Sequence, residues 1–167
     1  YKNDVFQMAP NVTFIVGPQD IHKIPQIVNQ VSAETLFERK IWETDGGIRP
    51  EEIYHSGFYE DKQHAYIVIC EGCSNYCSYC VVPYVRGGLR NRNYKEILKE
   101  IRRALDKGIT RITLLGQNVN AYEYEDINFV GLVKLVNAIK GLKEFSFVTS
   151  HPKDTPLDLF RVMADAQ

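Results

Sequence analysis

No cysteine occurs before position 70 or after position 80 of this 167-residue chain. A structural disulfide framework spreads its sulfurs to tie distant segments together, so that arrangement is excluded. Long apolar runs are also missing: the longest, Ala65 to Cys70, has six residues, against the ~20 that span a bilayer. The N-terminus shows no charged, apolar, small-residue leader. Together these absences predict a cytoplasmic protein without membrane association. Neither GxGxxG nor GxxxxGK[ST] follows any expected strand, which removes support for dinucleotide and P-loop readings. Net charge is scarce too, with 20 Lys and Arg against 21 Asp and Glu. A domain of this size buries roughly 70% of its unfolded surface and needs no sulfur crosslink or metal to hold its core. The cysteines that are present therefore need another explanation.

All four lie in one window, CEGCSNYCSYC, as Cys70, Cys73, Cys77 and Cys80. Sulfurs packed this densely converge on one small object, and in a reducing cytosol that object is a metal or cluster. The charge balance conceals a similar concentration. Residues 86–111 carry 9 basic and 3 acidic side chains, whereas residues 1–64 carry 6 and 10. Lys95, Lys99, Arg102, Arg103 and Lys107 read as the solvated face of a helix. Arg86, Arg90 and Arg92 sit instead in a Gly-containing loop, VRGGLRNR, and are candidates for a phosphate or a cofactor carboxylate, which arginine grips with two parallel hydrogen bonds.

Periodicity divides the chain. VTFIV (12–16) has the β-branched content of a short strand closed by Gly17-Pro18, and a helix follows from about Pro25 through Val31. Residues 32–63 show no sustained period and read as a linker. From Ala65 a rhythm sets in. Strand 65–70 is followed by the cysteine loop and a helix over 94–107, with Asn93 as N-cap and Gly108 just past its end. Strand 111–115, a loop GQNVNAYEYED, a helix over about 128–140, strand 144–149, the loop SHPKD and a helix opened by Thr155-Pro156 complete the pattern. This is βαβαβα, the mark of a parallel sheet with right-handed crossovers. A closed (β/α) barrel needs ~250 residues, so about three such units predict part of one. Working loops in such a sheet follow the strands' C-terminal ends, which brings the cysteines, Gly116–Asn120 and Ser150–Pro152 to one rim.

Cys73, Cys77 and Cys80 form C-x3-C-x2-C. Three thiolates on a short loop can each bind one iron of a 4Fe-4S cube and leave the fourth iron open for a substrate or cofactor. All four sulfurs together form C-x2-C-x3-C-x2-C, which admits a tetrahedral zinc, although zinc ribbons separate their pairs by a long spacer. Redox or structural thiols are the third possibility. Cys70 ends a strand expected to be buried and reads as a small apolar side chain there.

EGCSNYCSYCVVPYVRG followed by LRNR resembles the cluster loop of radical S-adenosylmethionine (SAM) enzymes in the version found in methylthiotransferases. ITLLGQNVNAY and FVTSHP resemble the segments of the tRNA-modifying branch, and NVTFIVGPQDIHKIP resembles the end of the family's N-terminal domain. The resemblance implies that Cys73, Cys77 and Cys80 hold a 4Fe-4S cluster and that SAM binds its open iron. It further implies that one-electron cleavage generates a radical able to take hydrogen from C2 of an N6-isopentenyl-type adenosine beside the tRNA anticodon, where a methylthio group is installed. Tyr79 is then expected near the cofactor adenine, or alternatively packed under the loop. Gln117 and Asn118 are candidates for cofactor or base, with Arg86 for the cofactor, and His151 for RNA, cofactor or a purely structural role. Implied partners are the tRNA anticodon loop and an electron donor such as flavodoxin. The implied organisation is α/β: residues 1–31 as the tail of an N-terminal α/β methylthiotransferase domain, 32–63 as linker, and 64–167 as the first half of a radical SAM barrel. Family members carry three further cysteines in the N-terminal domain and a C-terminal RNA-binding domain. Their absence, with Tyr1 and Gln167 as the termini, predicts an internal fragment. The ribosomal-protein branch and a non-catalytic, zinc-bound RNA-binding module are the rival readings.

Overall fold

In the computed structural model, residues 2–33, 40–44, 50–56, 58–59 and 64–166 are described. They divide into two units, Tyr1–Ile53 and Tyr54–Gln167. In the first unit α1 (Lys2–Met8) precedes β1 (Phe14–Val16), and a 3-10 turn leads into α2 (Ile24–Ala33). β2 (Ile41–Glu43), inside the stretch read as linker, runs parallel to β1 with Ile15 opposite Trp42. Lys23 bridges Asp20 and Glu43, tying the start of α2 to the end of β2. Phe6 meets Trp42 edge-on at 6.1 Å between ring centres. Much of the remainder of 32–63 lies outside the described residues.

The second unit opens with β3 (Phe58–Tyr59) and β4 (His64–Val68). The chain then runs through β5 (Cys70–Glu71), α3 (Val82–Arg86) and β6 (Arg90–Asn91) to α4 (Tyr94–Asp106) and β7 (Arg111–Leu115). A hairpin of β8 (Glu123–Tyr124) and β9 (Ile127–Asn128) precedes α5 (Phe129–Asn137), β10 (Glu144–Phe147) and α6 (Leu157–Ala164). The sheet order is β10-β7-β4-β3, with the first three strands parallel and β3 antiparallel at the edge. The fold is thus α/β with a small, open sheet, and the βαβαβα rhythm has become its three parallel strands.

Register explains the two faces. Ile67, Leu114 and Phe147 align across the parallel strands, as do Tyr66, Thr113 and Ser146 one residue earlier. The first row faces the helices, where Ala65, Ile67, Ile69, Ile112 and Leu114 pack with Ile97, Ile101 and Ala104 of α4 and Leu132, Val133 and Val136 of α5. Positions 97, 101 and 104 recur at helical spacing, so one stripe of α4 is apolar. Each fully buried Ile or Leu contributes ~1.5–3 kcal/mol, and that stripe fixes the helix on the sheet. The second row is polar: Thr113 Oγ1 lies 2.8 Å from both His64 Nε2 and Ser146 Oγ, linking three strands.

The caps follow the sequence reading. Asn93 accepts from the amide of Lys95 at 2.9 Å, and Gly108 takes φ +85° just past the helix end. Lys95, Lys99, Arg102, Arg103 and Lys107 form the exposed face of α4. Element lengths differ from expectation at the rim. The strand read as 65–70 ends at Val68, and Cys70–Glu71 turns away to pair antiparallel with Arg90–Asn91. The strand read as 144–149 ends at Phe147, because Thr149 adopts φ +67°, which no strand accommodates.

Candidate metal centre at the strand ends

The cysteine loop leaves β5 at Gly72. That residue has φ +73°, and a Cβ there would lie 2.2 Å from the carbonyl oxygen of Gly88 and 2.6 Å from that of Gly87. Only glycine satisfies both the left-handed backbone and the close approach. The amide of Cys73 donates to the Gly87 carbonyl at 3.1 Å, and Ser74 Oγ accepts from the amide of Leu89 at 3.1 Å. The arm 87–89 therefore cradles the loop. All four cysteines are free thiols. Cys70 is buried, and Cys73, Cys77 and Cys80 are partly exposed.

Cys70 stands apart chemically as well. Burial pushes its thiol up to about 12, and its Sγ lies 3.6 Å from the Asn118 carbonyl it donates to. A thiol held protonated is a poor metal ligand. It packs so closely on Gly116 that a Cβ at that glycine would lie 2.4 Å from its sulfur.

The other two strand-end loops reach the cysteine loop directly. Gln117 Oε1 accepts from the amide of Gly72 at 2.5 Å. Asp154 Oδ2 accepts from Asn75 Nδ2 at 2.6 Å and from Asn118 Nδ2 at 2.7 Å, joining all three loops at one carboxylate. His151 Nε2 lies 3.4 Å from Cys77 Sγ, while its Nδ1 accepts from the Lys153 amide at 3.2 Å. Asn120 fixes the backbone of His151 from both sides, donating to its carbonyl at 2.8 Å and accepting from its amide at 2.9 Å. The structure thus brings His151 to Cys77, Gln117 to the Gly72 end of the cysteine loop, and Asn118 to the Asp154 that holds Asn75. Asn118 is buried, and among the described residues its Oδ1 has no hydrogen-bond partner, an orphaned acceptor of the kind a ligand satisfies.

Desolvation raises the Asp154 carboxyl. The hydrogen bonds from Asn75 and Asn118, with the charge of Lys153, outweigh it and hold the group below its ordinary value. A depressed carboxyl stabilises the fold above its ordinary range and loses that contribution as pH falls through the lowered value. Asp154→Asn is expected to lower the urea midpoint at pH 7, with the gap to wild type narrowing as pH falls through the lowered value of the carboxyl. A gap that does not change with pH would remove the charge from the explanation.

Sequence reasoning placed Arg92 with Arg86 and Arg90 as an anion candidate, and this is corrected. Arg92 is 5% exposed, with Nη2 2.8 Å from Glu100 Oε2, Nη1 donating to the Val68 carbonyl and its guanidinium 4.3 Å from the Tyr54 ring centre. It is a core ion pair. Arg90 turns back on its own loop, donating to the Arg86 carbonyl at 3.0 Å. Arg86 lies exposed on the last turn of α3. Tyr79 is 87% exposed, so it does not pack beneath the loop. The missed contributors are Asn75, Asn120 and Asp154. Sequence signalled them only as polar residues inside the expected rim loops.

The Radical SAM superfamily model matches residues 67–167, from β4 through the cysteine loop to the end of the chain. The chain belongs to the radical SAM superfamily. Its similar proteins include the tRNA-2-methylthio-N(6)-dimethylallyladenosine synthase of Clostridium novyi (strain NT), 39% identical over 98% of this chain and 36% of that protein. The synthase of the same name from Clostridium perfringens (strain SM101 / Type A) is 40% identical over 96% and 36%. That of Moorella thermoacetica (strain ATCC 39073 / JCM 9320) is 38% identical over 89% and 33%. The chain thus spans little more than a third of the length of the curated relatives it matches. Radical SAM proteins use a 4Fe-4S cluster and S-adenosylmethionine. The residues fit that pair. Three free thiols sit on one irregular loop, the fourth is kept protonated, and an orphaned amide oxygen lies on the neighbouring loop. Among the described residues no three His, Cys, Asp or Glu side chains stand together in a way that would hold a metal ion.

Proposed function

We propose that this chain carries the cluster-binding part of a tRNA methylthiotransferase, adding a methylthio group to C2 of an N6-isopentenyl-type adenosine beside the anticodon. The reading rests on 37–40% identity to proteins named as synthases of that modification. Those names favour tRNA over a ribosomal protein as substrate. The three parallel βα units, with residues 64–167 as the first half of a barrel, 32–63 as linker and 1–31 as the tail of an N-terminal domain, complete the architecture we infer.

When bound, the cluster and SAM supply one-electron cleavage that yields a radical able to take hydrogen from an unreactive C–H bond. The chain's own residues hold and orient. Cys73, Cys77 and Cys80 supply the thiolates. Gln117 fixes the entry to the loop through the Gly72 amide. Asn118 offers its free acceptor to a donor on the cofactor, its Nδ2 being committed to Asp154. Tyr79 presents an open ring for the adenine, and Arg86 a cation for a carboxylate. An electron donor such as flavodoxin would reduce the centre from the exposed rim of the cysteine loop.

Anaerobic reconstitution followed by iron and sulfide counting tests the ligand set. Cys73→Ala, Cys77→Ala and Cys80→Ala should each lower retained iron more than tenfold, whereas Cys70→Ala should retain it. Zinc without iron or sulfide in anaerobically purified protein would overturn the proposal in favour of a zinc-bound RNA-binding module. Mass spectrometry of nucleosides from tRNA incubated with the whole enzyme tests the substrate.

A further inference from the structure

We infer that His151 is a positioning residue whose imidazole donates a hydrogen bond to the Cys77 thiolate and thereby raises the reduction potential of the cluster. This rests on the reading of Cys77 as a cluster ligand and assigns to His151 a role of its own. The tautomer follows from its neighbours. Nδ1 accepts from the backbone amide of Lys153 at 3.2 Å, so in the neutral ring the proton sits on Nε2. Nε2 lies 3.4 Å from Cys77 Sγ, within reach of an N–H···S contact. The ring is held in that pose, because Asn120 clamps the His151 backbone through both its amide and its carbonyl. Thr155 Oγ1 adds a third hold on the carbonyl at 2.9 Å. The thiolate side is held as well, since Asn75, two residues before Cys77, is bound to Asp154 of the same loop as His151. Donor and sulfur are thus fixed from one segment.

A hydrogen bond to a ligating sulfur stabilises the extra negative charge of the reduced cluster, and such bonds are among the factors that set cluster potentials. His151→Phe removes the donor and keeps a ring. His151→Gln places an amide N–H near the position of Nε2. In the anaerobically reconstituted full-length enzyme, a redox titration followed by electron paramagnetic resonance should show the reduction equilibrium falling about tenfold in His151→Phe. That is a 59 mV lower potential for a one-electron couple. His151→Gln should stay within threefold of wild type. An unchanged potential in His151→Phe, or an equal fall in both variants, overturns the inference. A second readout needs no variant to assemble. In wild-type enzyme containing 15N-histidine, the reduced cluster should show a 15N hyperfine coupling in pulsed paramagnetic resonance, and no coupling overturns the inference. Full iron retention by Cys77→Ala would instead overturn the underlying ligand reading, a result separate from either.

Discussion

Alanine at position 72 is expected to abolish cluster retention and to destabilise the Tyr54–Gln167 unit by about 2–5 kcal/mol. Two costs combine there. The backbone sits at φ +73°, and the new methyl would meet two carbonyl oxygens, of Gly87 and Gly88, well inside contact distance. Neither carbonyl has room to yield, because that arm also holds the Cys73 amide and its next residue is bound to Ser74. Relief would come from displacing the loop, which moves the thiols. Gly108 separates the two costs, having φ +85° with nothing among the described residues, its chain neighbours aside, within 4 Å of an added Cβ. Gly108→Ala should therefore cost only about 1–2 kcal/mol and leave iron content unchanged. Urea unfolding and iron counts on both variants provide the check, and equal losses at the two positions would refute the cradle.

Arg92→Leu is expected to destabilise the same unit by about 3–5 kcal/mol, because it removes the guanidinium that lies 2.8 Å from the buried carboxylate of Glu100. The side chains of Arg92 and Glu100 are 4% and 10% exposed, so water does little to substitute for the missing charge. The contacts of the guanidinium with the Val68 carbonyl and the Tyr54 ring are lost in the same step. Removing both charges behaves differently. An apolar pair of similar volume often matches or exceeds a buried ion pair in stability, so Arg92→Leu with Glu100→Leu should recover most of the loss. Chemical denaturation of both single variants and the double completes the cycle. A double variant as unstable as the sum of the singles would show that packing, not the buried charge, sets the cost.

The same arginine marks where sequence reasoning ended. The three parallel strands, α4 with its Asn93 cap and the solvated basic face of α4 were legible because each is a local pattern of period two or 3.6. The gathering of the cysteines on one loop was legible because their spacing is itself the signal. Arg92 misled because VRGGLRNR reads as an open loop, and only the antiparallel pairing of Cys70–Glu71 with Arg90–Asn91 folds it inward. That pairing and the short α3 between its strands have no periodic signature. The clamp was hidden for another reason. His151 is 74 positions from Cys77, and Asp154 is 79 from Asn75, separations at which one sequence carries no trace of contact.

Those separations also set an order of events during synthesis. At about 5–20 residues per second, the residue that steadies Cys77 is polymerised about 4–15 s after the thiol itself. During that interval the loop has its local cradle of Gly87 and Gly88 but neither His151 nor Asp154. The thiols are then at their most accessible to oxidants and to stray metal ions, and the acceptor that completes their surroundings arrives last. A nascent chain arrested between the two segments would offer the cysteines without the clamp, which makes the timing of cluster delivery a property written into the spacing of the chain.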